Sequence, residues 1–548
     1  MSLPVIGQID YQVPSQALVD IVDAPRTPRF SIDPTHSWML LQDVPDLPSI
    51  AELAQRELKL AGQRINPTTN SPSRRTFVNG LRLKHLTTGE EREVTGLPDP
   101  AYIGGVSWSP DGTKLAFHCT ILQDGALHHV EPWMVDVDTG KARRVADTQL
   151  NLCARIPSRW LPDSSALIAV LVDDKQGLEP EATSVPSGPR VQSNDGRTAP
   201  ARTYQDLLKT EHDGDLFEHY FTGQLAQLAL DGTVTPLGSP AVIWNVSVSP
   251  SGEYLLVQTL DRPYSYRVPA SRFPKRIEVW DRAGQVVHVL AELPAQEEIP
   301  MAFGSVATGP RSVRWRSDQP ATLVWAEALD GGDARVETDE RDQVYSLTAP
   351  FKQEPTKLAT CGMRFYNITW CNGDLALLDE YWWKTRMRRT WRLRPDTPGA
   401  KPELLEELSY EDRYQDPGTP ETTLNKAGKP VLVLGASGTT MFRIGAGASE
   451  EGDRPFLDEF SLTSGETHRL LHSEEPYYEL PLQLIDLDEN GEPWHVLTRR
   501  ESVDEPPNYF MRDLKYQSKG SIPAPGSLTA QETSIQLGAL RPSQRHLK

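Results

Sequence analysis

The sequence predicts an all-β fold: a seven-bladed β-propeller of four-stranded antiparallel blades, with a short N-terminal helix and a disordered C-terminal tail. Two observations favour this class. A turn sequence between two short apolar runs recurs along the 548 residues, and a second hairpin pattern follows each copy. Two hairpins make a four-stranded sheet, and repeated sheets of this size are typical of propeller blades, whose radial packing hides most sheet edges.

The clearest copy of the repeat lies between Val106 and Phe117. Ser109-Pro110-Asp111-Gly112 separates Val106-Ser107-Trp108 from Lys114-Leu115-Ala116-Phe117. Proline presets φ, the aspartate side chain can accept from the backbone two residues on, and glycine accepts a positive φ. This tetrapeptide therefore predicts a hairpin turn.

Further copies are less regular but keep the same layout. Their first hairpins lie in residues 30–41, 159–170, 246–257, 313–325 and 368–378. Second hairpins lie in residues 133–145, 224–237, 277–290 and 458–471. Loops of very different length separate the hairpins, which favours a propeller associated with an enzyme over a regular interaction array.

The propeller is predicted over residues 30–515. An N-terminal extension of residues 1–29 precedes it, and a disordered tail of residues 516–548, without hydrophobic periodicity, follows it. Apolar residues at helical spacing predict a helix from Ala51 to Leu60, with Ser49 as N-cap and Gly62 as the stop. The proline-rich stretch of residues 173–219 predicts a surface excursion with a short helix at its end, near residues 204–209.

Composition limits the classes of partner. The formal net charge of −19 argues against nucleic acid, because a phosphate-binding surface needs clustered lysine and arginine. No basic N-terminal segment leads into an apolar one, and no run of about 18 apolar residues occurs, so we expect neither a signal peptide nor a membrane span. The four cysteines form no CxxC pair, which predicts a reducing, cytoplasmic setting.

No motif indicates a catalytic centre, a metal site or a cofactor. The nucleophile elbow G-x-S-x-G is absent, and the nearest approach, Gly435-Ala436-Ser437-Gly438-Thr439, lacks the final glycine. The adjacent His128 and His129 would point to opposite faces of a strand, so they are interpreted as loop histidines and not as metal ligands.

One basic and aromatic cluster stands out in this acidic chain, in residues 381–391. Its arginines could form a rim that recognises anions, because a guanidinium group binds a carboxylate through two parallel hydrogen bonds. The alternative is a solvated hairpin turn between two strands, with charges that serve solubility.

Several stretches, in one order from Gly80 to Leu514, together resemble a known family. They are residues 202–209 and 215–217, 260–269, 272–280, 325–334, 383–386 and 454–458. These stretches resemble the propeller of plant-type and bacterial glutamyl endopeptidases, which are serine peptidases of the prolyl oligopeptidase family, S9.

The resemblance implies a propeller that covers a C-terminal α/β-hydrolase domain, whose serine, aspartate and histidine perform acyl transfer. In this chain the family-like sequence gives way to unrelated sequence after Asp513-Leu514-Lys515, as a truncation or a frameshift would produce. No catalytic residue of the family has a position here, so the chain alone is expected to be inactive.

Two hypotheses of different classes follow. In the first, the chain is the non-catalytic, substrate-gating propeller of such a peptidase, and its partners are peptide substrates or a separately encoded hydrolase domain. In the second, it is a stand-alone propeller that binds proteins or peptides as a scaffold. We further expect Arg262, Tyr264, Lys384 and Arg386 to face the propeller cavity or its rim and to bind acidic peptides, unless the two arginines are paired with acidic neighbours.

Overall fold

The computed structural model describes residues 14–22, 26–45, 47–48, 50–182, 203–488 and 490–514, and in these residues antiparallel β-structure dominates. The all-β prediction is confirmed. The predicted disordered tail of residues 516–548, residues 1–13 and 23–25 of the N-terminal extension, and residues 183–202 of the long insertion lie outside the described residues.

Most described strands form sheets of consecutive strands, which we number I to VIII in chain order. Sheet I contains Arg29–Ile32, Trp38–Asp43, Gly80–His85 and Glu91–Glu93, and sheet II contains Ile103–Trp108, Lys114–Gln123, Ala126–Asp136 and Lys141–Arg144. Sheet III contains Arg159–Trp160, Ala166–Val172, Thr222–Ala229 and Val234–Pro236, and sheet IV contains Ala241–Val248, Tyr254–Leu260, Lys275–Asp281 and Val286–Leu293. A short pairing of Thr222 and Gly223 with Val242 and Ala241 joins sheets III and IV along one edge.

The second half of the chain repeats the pattern. Sheet V contains Arg311–Trp315, Thr322–Ala328, Asp342–Thr348 and Thr356–Cys361, and sheet VI contains Arg364–Asn372, Leu375–Trp382, Met387–Leu393 and Glu403–Ser409. Sheet VII contains Thr419–Pro420, Thr440–Gly445, Phe456–Ser461 and Thr467–His472, and sheet VIII contains Tyr478–Leu487, Pro493–Glu501 and Asn508–Asp513.

Smaller elements lie in the connections. A three-stranded sheet contains Leu58–Leu60, Gln63–Asn66 and Ser71–Pro72, and two hairpins pair Thr422–Leu424 with Pro430–Leu432 and Ala448–Ser449 with Gly452–Asp453. The described helices are Gln16–Val22, Ile50–Leu53, Glu211–Phe221 and a 3₁₀ turn at Ala270–Arg272.

Each sheet packs against the next through a buried apolar cluster. Clusters of this kind join I to II, II to III, III to IV, IV to V, V to VI, VI to VII and VII to VIII. A further cluster places Met39 and Leu41 of sheet I against Ile485 and Leu497 of sheet VIII. The sheets therefore follow one another in a closed cycle, although no single sheet closes on itself.

The predicted number of seven blades is not confirmed, because the described residues place eight sheets in this cycle. The sequence pattern missed sheet VIII. Its first two strands carry irregular pairing near Pro481, Leu484 and Asp486, which breaks the alternation of buried and exposed residues that marks a strand. The prediction of four strands per blade is not confirmed either, since sheet VIII has three described strands.

The recurring turn has the predicted geometry. Ser109 N donates to Lys114 O at 2.8 Å, Gly112 N donates to Ser109 O at 2.9 Å, and Gly112 has a φ of +72°. The Asp111 carboxylate accepts from the backbone of Thr113 two residues on, at 3.0 Å. Successive turns touch one another: Asp111 N donates to Ser164 Oγ at 3.1 Å, and Ser251 N donates to Pro320 O at 2.8 Å.

These contacts place the first-hairpin turns of sheets II to V at one end of the cycle, which we call the turn end. Adjacent antiparallel strands run in opposite directions, so the connections between the second and third strands leave at the other end. We call that end the insertion end. Its connections are the described residues within 44–79 and 173–221, and residues 261–274, 329–341, 383–386 and 446–455.

The predicted helix of residues 51–60 is wrong beyond its first turn. The helix contains only Ile50–Leu53, and Leu58–Leu60 is a strand that pairs with Gln63–Asn66 through a tight turn. Leu60 and Ile65 are buried in a core cluster shared with the connections of residues 173–221 and 261–274. Burial of these side chains outweighed the helical spacing of the apolar residues.

The long insertion does end in a helix, but at Glu211–Phe221 and not near residues 204–209. Thr210 caps it, because its hydroxyl accepts from Asp213 N while the Asp213 carboxylate accepts from Thr210 N. Phe217 and Phe221 are buried in the same core cluster. The prediction of a surface excursion is therefore wrong for this part of the insertion.

Candidate functional site

The four residues predicted to bind acidic peptides lie at the same end of the cycle. Arg262 and Tyr264 belong to the connection of residues 261–274 in sheet IV. Lys384 and Arg386 belong to the connection of residues 383–386 in sheet VI. Both connections join second to third strands, so the topology brings all four residues to the insertion end.

Arg262 is held against the helix Glu211–Phe221. Its Nη2 donates to Asp215 Oδ1 at 2.8 Å and its Nε donates to Glu218 Oε2 at 2.6 Å. The guanidinium lies 5.0 Å from the centre of the Tyr264 ring, and that ring packs against Phe217. Arg262 is thus paired with two carboxylates, in agreement with the alternative expectation that the arginines are paired with acidic neighbours.

Arg386 is also paired with a carboxylate. Its Nε lies 3.1 Å from Glu411 Oε1, and its guanidinium lies 4.4 Å from the centre of the Trp383 ring. Trp383 stacks on Phe303 with ring centres 4.6 Å apart, and both rings are exposed. Lys384 is exposed beside them. An aromatic and cationic surface therefore exists at this turn.

A cavity of about 510 Å³ opens at the insertion end of sheets I and II. Its walls come from Arg26, Arg29, residues 44–45, 47–48, 52–53 and 55–57, Asn66, Thr69, residues 71–77, Asn79 and residues 100–102, together with Thr120 and Leu127 of sheet II. Five arginines and two glutamates line it: Arg26, Arg29, Arg56, Arg74, Arg75, Glu52 and Glu57. The lining has an excess of positive charge in a chain that is acidic overall.

Arg56 and Arg74 have carboxylate partners. Arg56 donates to both oxygens of Glu179, at 2.8 and 2.6 Å. Arg74 Nε lies 3.5 Å from Glu57 Oε2, which also accepts from Ser73 Oγ at 2.5 Å.

Arg75 differs, because no carboxylate pairs with it among the described residues. Its guanidinium lies 5.4 Å from the centre of the Phe77 ring, and its Nη2 contacts Nε2 of His118. Burial, reinforced by the nearby charge of Arg155, lowers the pKa of Arg75 to about 10. Its Nη1 is buried and has no hydrogen-bond partner within the described part of the chain.

His118 serves as a neutral support for Arg75. Burial is the main reason that the pKa of His118 lies well below its usual value, and the charge of Arg75 lowers it further. A neutral imidazole can accept from Arg75 through Nε2. Gly104 makes room for this contact, since a Cβ there would lie 2.4 Å from His118 Nε2 and 2.7 Å from Arg75 Nη2.

A second donor without a partner lies in the same wall. Thr120 is two residues from His118 on the strand Lys114–Gln123, so both side chains are on one face of sheet II. The Thr120 hydroxyl is buried and makes no hydrogen bond with the described residues. Sequence reasoning missed this site. The adjacent Arg74 and Arg75, directly after a predicted loop in an acidic chain, were the available signal.

The residues considered for catalysis or metal binding form no such centre. Ser437 lies in an exposed turn, where its hydroxyl lies 2.6 Å from Thr439 Oγ1. His128 and His129 contact each other through Nδ1 atoms at 2.8 Å. Among the described residues, no group of three histidine, cysteine or acidic side chains is arranged to hold a metal ion. In the same residues, no helix has the length and apolar character needed to cross a membrane.

Comparison with known proteins identifies two curated plant relatives. The chain is 40% identical over 535 residues to a probable glutamyl endopeptidase, chloroplastic, from Arabidopsis thaliana, and 38% identical over 523 residues to the protein of the same name from Oryza sativa subsp. japonica. The matches cover 94% and 92% of this chain but 56% of each relative. The chain thus spans about half the length of the curated relatives that it matches. No protein-family model matches it.

Solved structures with a similar course of the chain have low sequence identity. The β-propeller domain of the Trilobed protease from Pyrococcus furiosus is 10% identical with a TM-score of 0.36, and the match covers 76% of this chain and 97% of that one. Dipeptidyl peptidase 4 from Porphyromonas gingivalis is 10% identical with a TM-score of 0.46, and the match covers 92% and 60% of the two chains.

Proposed function

Over more than nine-tenths of its length this chain is a homologue of the glutamyl endopeptidases, and we propose that it works as the propeller portion of a serine peptidase of the prolyl oligopeptidase family. The observation that carries the proposal is the match itself, since two relatives align over 94% and 92% of the chain. The cycle of eight face-packed sheets would then be an eight-bladed propeller. In this role the chain admits peptides to a hydrolase domain and performs no acyl transfer of its own.

The closure of the turn end supports the gating role. The hairpin of Thr422–Leu424 and Pro430–Leu432 lies in the connection between the first two strands of sheet VII. At its tip, the Asn425 side chain donates to Ser317 O, in the first-hairpin turn of sheet V, at 2.8 Å. Gly428 packs on Pro110 of sheet II, since a Cβ there would lie 3.0 Å from Pro110 Cγ. Sheets II, V and VII are well separated in the cycle, so the tip of the hairpin covers the turn end. Peptides would therefore enter from the insertion end.

We assign the first contact with acidic peptides to the rim residues Arg262, Tyr264, Lys384 and Arg386. Their common location at the insertion end supports this assignment. The carboxylate partners of Arg262 and Arg386 reduce the net charge at the rim. The rim would consequently act by weak, salt-sensitive attraction and by stacking on Trp383, and not through a tight ion pair.

The test of this function is reconstitution. We expect the purified 548-residue chain to cleave no glutamate-containing peptide, and a serine-directed phosphonate to leave it unlabelled, because it carries no G-x-S-x-G elbow. Added to the part of the Arabidopsis relative that lies beyond the matched residues, it should bind that part and restrict cleavage to short peptides. Labelling of the chain by the phosphonate, or reconstituted cleavage that is equally fast for a folded protein and a short peptide, would contradict the proposal.

A further inference from the structure

We propose that the inner wall of the cycle, beneath the hairpin that covers the turn end, holds a binding site for a phosphate-bearing small molecule. Arg159 and Lys429 are its direct donors, and Arg314 adds a third positive charge to the wall. The inner wall consists of the first strands of the sheets, and the hairpin contains Thr422–Leu424 and Pro430–Leu432. The inference goes beyond the proposed function, because no step of it depends on peptide cleavage.

The two arginines lie at one level of the inner wall. In sheets III and V the first strand ends in a buried tryptophan, Trp160 and Trp315, whose indole nitrogen donates to the first strand of the preceding sheet, at 3.3 and 3.2 Å. Arg159 and Arg314 come one residue earlier, so their side chains leave the opposite face of the strand. They therefore occupy equivalent positions, directly before the first-hairpin turns.

Lys429 approaches this level from the hairpin. Its neighbour Gly428 packs on the turn of sheet II, where a Cβ would lie 3.0 Å from Pro110 Cγ, and that turn contacts the turn of sheet III. Lys429 is consequently close to Arg159, at the start of the sheet III turn. Burial, reinforced by the nearby charge of Arg159, lowers the pKa of Lys429 to about 8. Two cations thus face each other without an intervening carboxylate.

Unmatched charge is the argument for a ligand. Neither Arg159 nor Lys429 has a side-chain hydrogen bond or an ion pair in the described residues. Arg314 donates through Nη1 to Asn367 Oδ1 at 2.7 Å, but its Nε and Nη2 are buried with no partner in the same part of the chain. A cation shielded from water without an anion is costly. A ligand that relieves this cost must bring negative charge.

The carboxylates of the nearest turns do not supply that charge, because they already accept from other donors. At the base of the hairpin, Glu421 Oε2 accepts from Leu484 N at 3.1 Å. In the turns of sheets II, III and V, Asp111 accepts from Ser109 and Thr113, Asp163 from Ser165, and Asp318 from Arg316. The countercharge must therefore come from outside the described residues.

The arrangement suits a phosphate group better than a carboxylate. A phosphate carries up to two negative charges and several acceptor oxygens, so it neutralises Arg159 and Lys429 together, whereas a carboxylate leaves one of them unmatched. A guanidinium binds two oxygens side by side, and an ammonium adds a point charge. Because the hairpin covers the turn end, the ligand must be small enough to arrive through the space between the first strands.

The experiment is a calorimetric titration of the 548-residue chain near neutral pH and at constant ionic strength, with pyrophosphate, orthophosphate, ADP and acetate. We expect both inorganic phosphates to bind and acetate not to bind. Binding of ADP as tight as that of pyrophosphate would identify a nucleotide as the source of the phosphate group. Weaker binding of ADP would identify a free phosphate, and either result agrees with the proposal.

Substitutions locate the site. Arg159→Gln and Lys429→Gln should each weaken pyrophosphate binding by about tenfold or more, as expected for a charge-assisted hydrogen bond. Arg314→Gln should weaken it by only about two- to threefold, because its charge acts from a greater distance. The first two variants should not lower the melting temperature of the free chain, since each removes a cation without a carboxylate partner. Pyrophosphate should raise the melting temperature of the wild type more than that of either variant.

Lys426→Gln is the matched control, because Lys426 is an exposed lysine in the same hairpin turn. Its affinity for pyrophosphate should equal that of the wild type. Equal binding of acetate and pyrophosphate would overturn the proposal, as would no binding up to millimolar pyrophosphate, or a loss in Lys426→Gln as large as in Lys429→Gln. Full affinity in a folded Arg159→Gln or Lys429→Gln variant would also overturn it, so either variant decides if the other fails to fold. The titration uses the chain alone, so its failure leaves the pairing with a hydrolase domain unaffected.

Discussion

At the scale of single residues, the fold treats buried charges in two ways. Arg364 is almost fully buried and donates to both oxygens of Asp330, at 2.9 and 2.7 Å, and to Asp342 at 2.9 Å. This network joins sheets V and VI and satisfies its charges internally. Arg75 Nη1 is also buried, but it has no hydrogen-bond partner among the described residues. The contrast explains why the first arginine is structural and the second is a candidate for ligand binding.

Glu421 provides a prediction that depends on pH. Burial raises the pKa of its carboxyl group to about 7, and a hydrogen bond from Leu484 N offsets this only partly. The folded state therefore prefers the protonated form, so stability that is fully present below about pH 4.5 is lost as the pH rises towards 7. We expect Glu421→Gln to stabilise the chain at pH 8 by up to about 3 kcal/mol, and less where water reaches the half-buried side chain.

Chemical denaturation of both proteins at pH 4 and pH 8 measures this effect. The gain should shrink towards zero at pH 4, where the wild-type carboxyl group is protonated in both states. Glu253→Gln, at an exposed turn position, is the control and should be neutral at both pH values. A Glu421→Gln variant that is less stable than the wild type at pH 8 would show that the carboxylate has a partner in solution.

At the scale of elements, the first-hairpin turns of sheets I to V lie at the turn end, where each contacts the next. Asp33 in sheet I accepts from Thr35, Ser37 and Trp38 backbone groups, at 2.9, 2.7 and 2.6 Å. These bonds fix its carboxylate beside Gly112 of sheet II, where a Cβ would lie 2.7 Å from Asp33 Oδ2. Glycine is therefore required at position 112 for two reasons: its turn has a positive φ, and a Cβ would collide with Asp33 of the neighbouring sheet.

Gly112→Ala should consequently lower the free energy of unfolding by more than the cost of placing an alanine at a positive φ. Gly125→Ala is a matched control, since Gly125 has a φ of +78° and a Cβ there meets nothing within 4 Å. Both variants should lose about 1 kcal/mol from the positive φ. Gly112→Ala should lose roughly 1–3 kcal/mol more, because the fixed carboxylate must move. Equal losses of unfolding free energy for the two variants, measured by urea denaturation, would mean that the Asp33 carboxylate moves aside without an energetic cost.

At the scale of the whole molecule, stability depends on closing the cycle between sheets VIII and I. Leu497 is fully buried there with Met39 and Leu41, which lie more than 450 positions earlier in the sequence. His36 Nδ1 also contacts Ile485 O at this junction. Contacts between sequence-distant segments carry the largest loop-closure entropy, so we expect this interface to form late in folding.

Leu497→Ala should lower the free energy of unfolding by about 2–5 kcal/mol, the usual cost of a leucine-sized cavity in a core. Val503→Ala is the control, because Val503 is 94% exposed and should contribute little. Guanidinium denaturation followed by tryptophan fluorescence measures both. A loss below about 1 kcal/mol for Leu497→Ala would indicate that the cycle opens at sheet VIII in solution.

Local patterns in the sequence determined the class and much of the element order. The Ser-Pro-Asp-Gly turn at residues 109–112 specifies a hairpin through the φ preferences of three adjacent residues, and alternating apolar residues specify the strands on either side. A stretch of about a dozen residues therefore contains everything needed to predict one hairpin. The similarity to the glutamyl endopeptidases could also be recognised from the sequence, because it is a similarity of residue identities in the same order and requires no coordinates.

Only the tertiary structure decided the number of sheets, the secondary structure of residues 51–60 and the position of the cavity. Sheet VIII is recognised by its packing on sheets VII and I, and Leu58–Leu60 became a strand because its burial partners come from residues 173–221 and 261–274. Arg75, His118 and Thr120 are up to 45 positions apart, and nothing in their separate contexts predicts a shared wall. Burial and unmet hydrogen bonds are properties of neighbours in space, which a local pattern cannot contain.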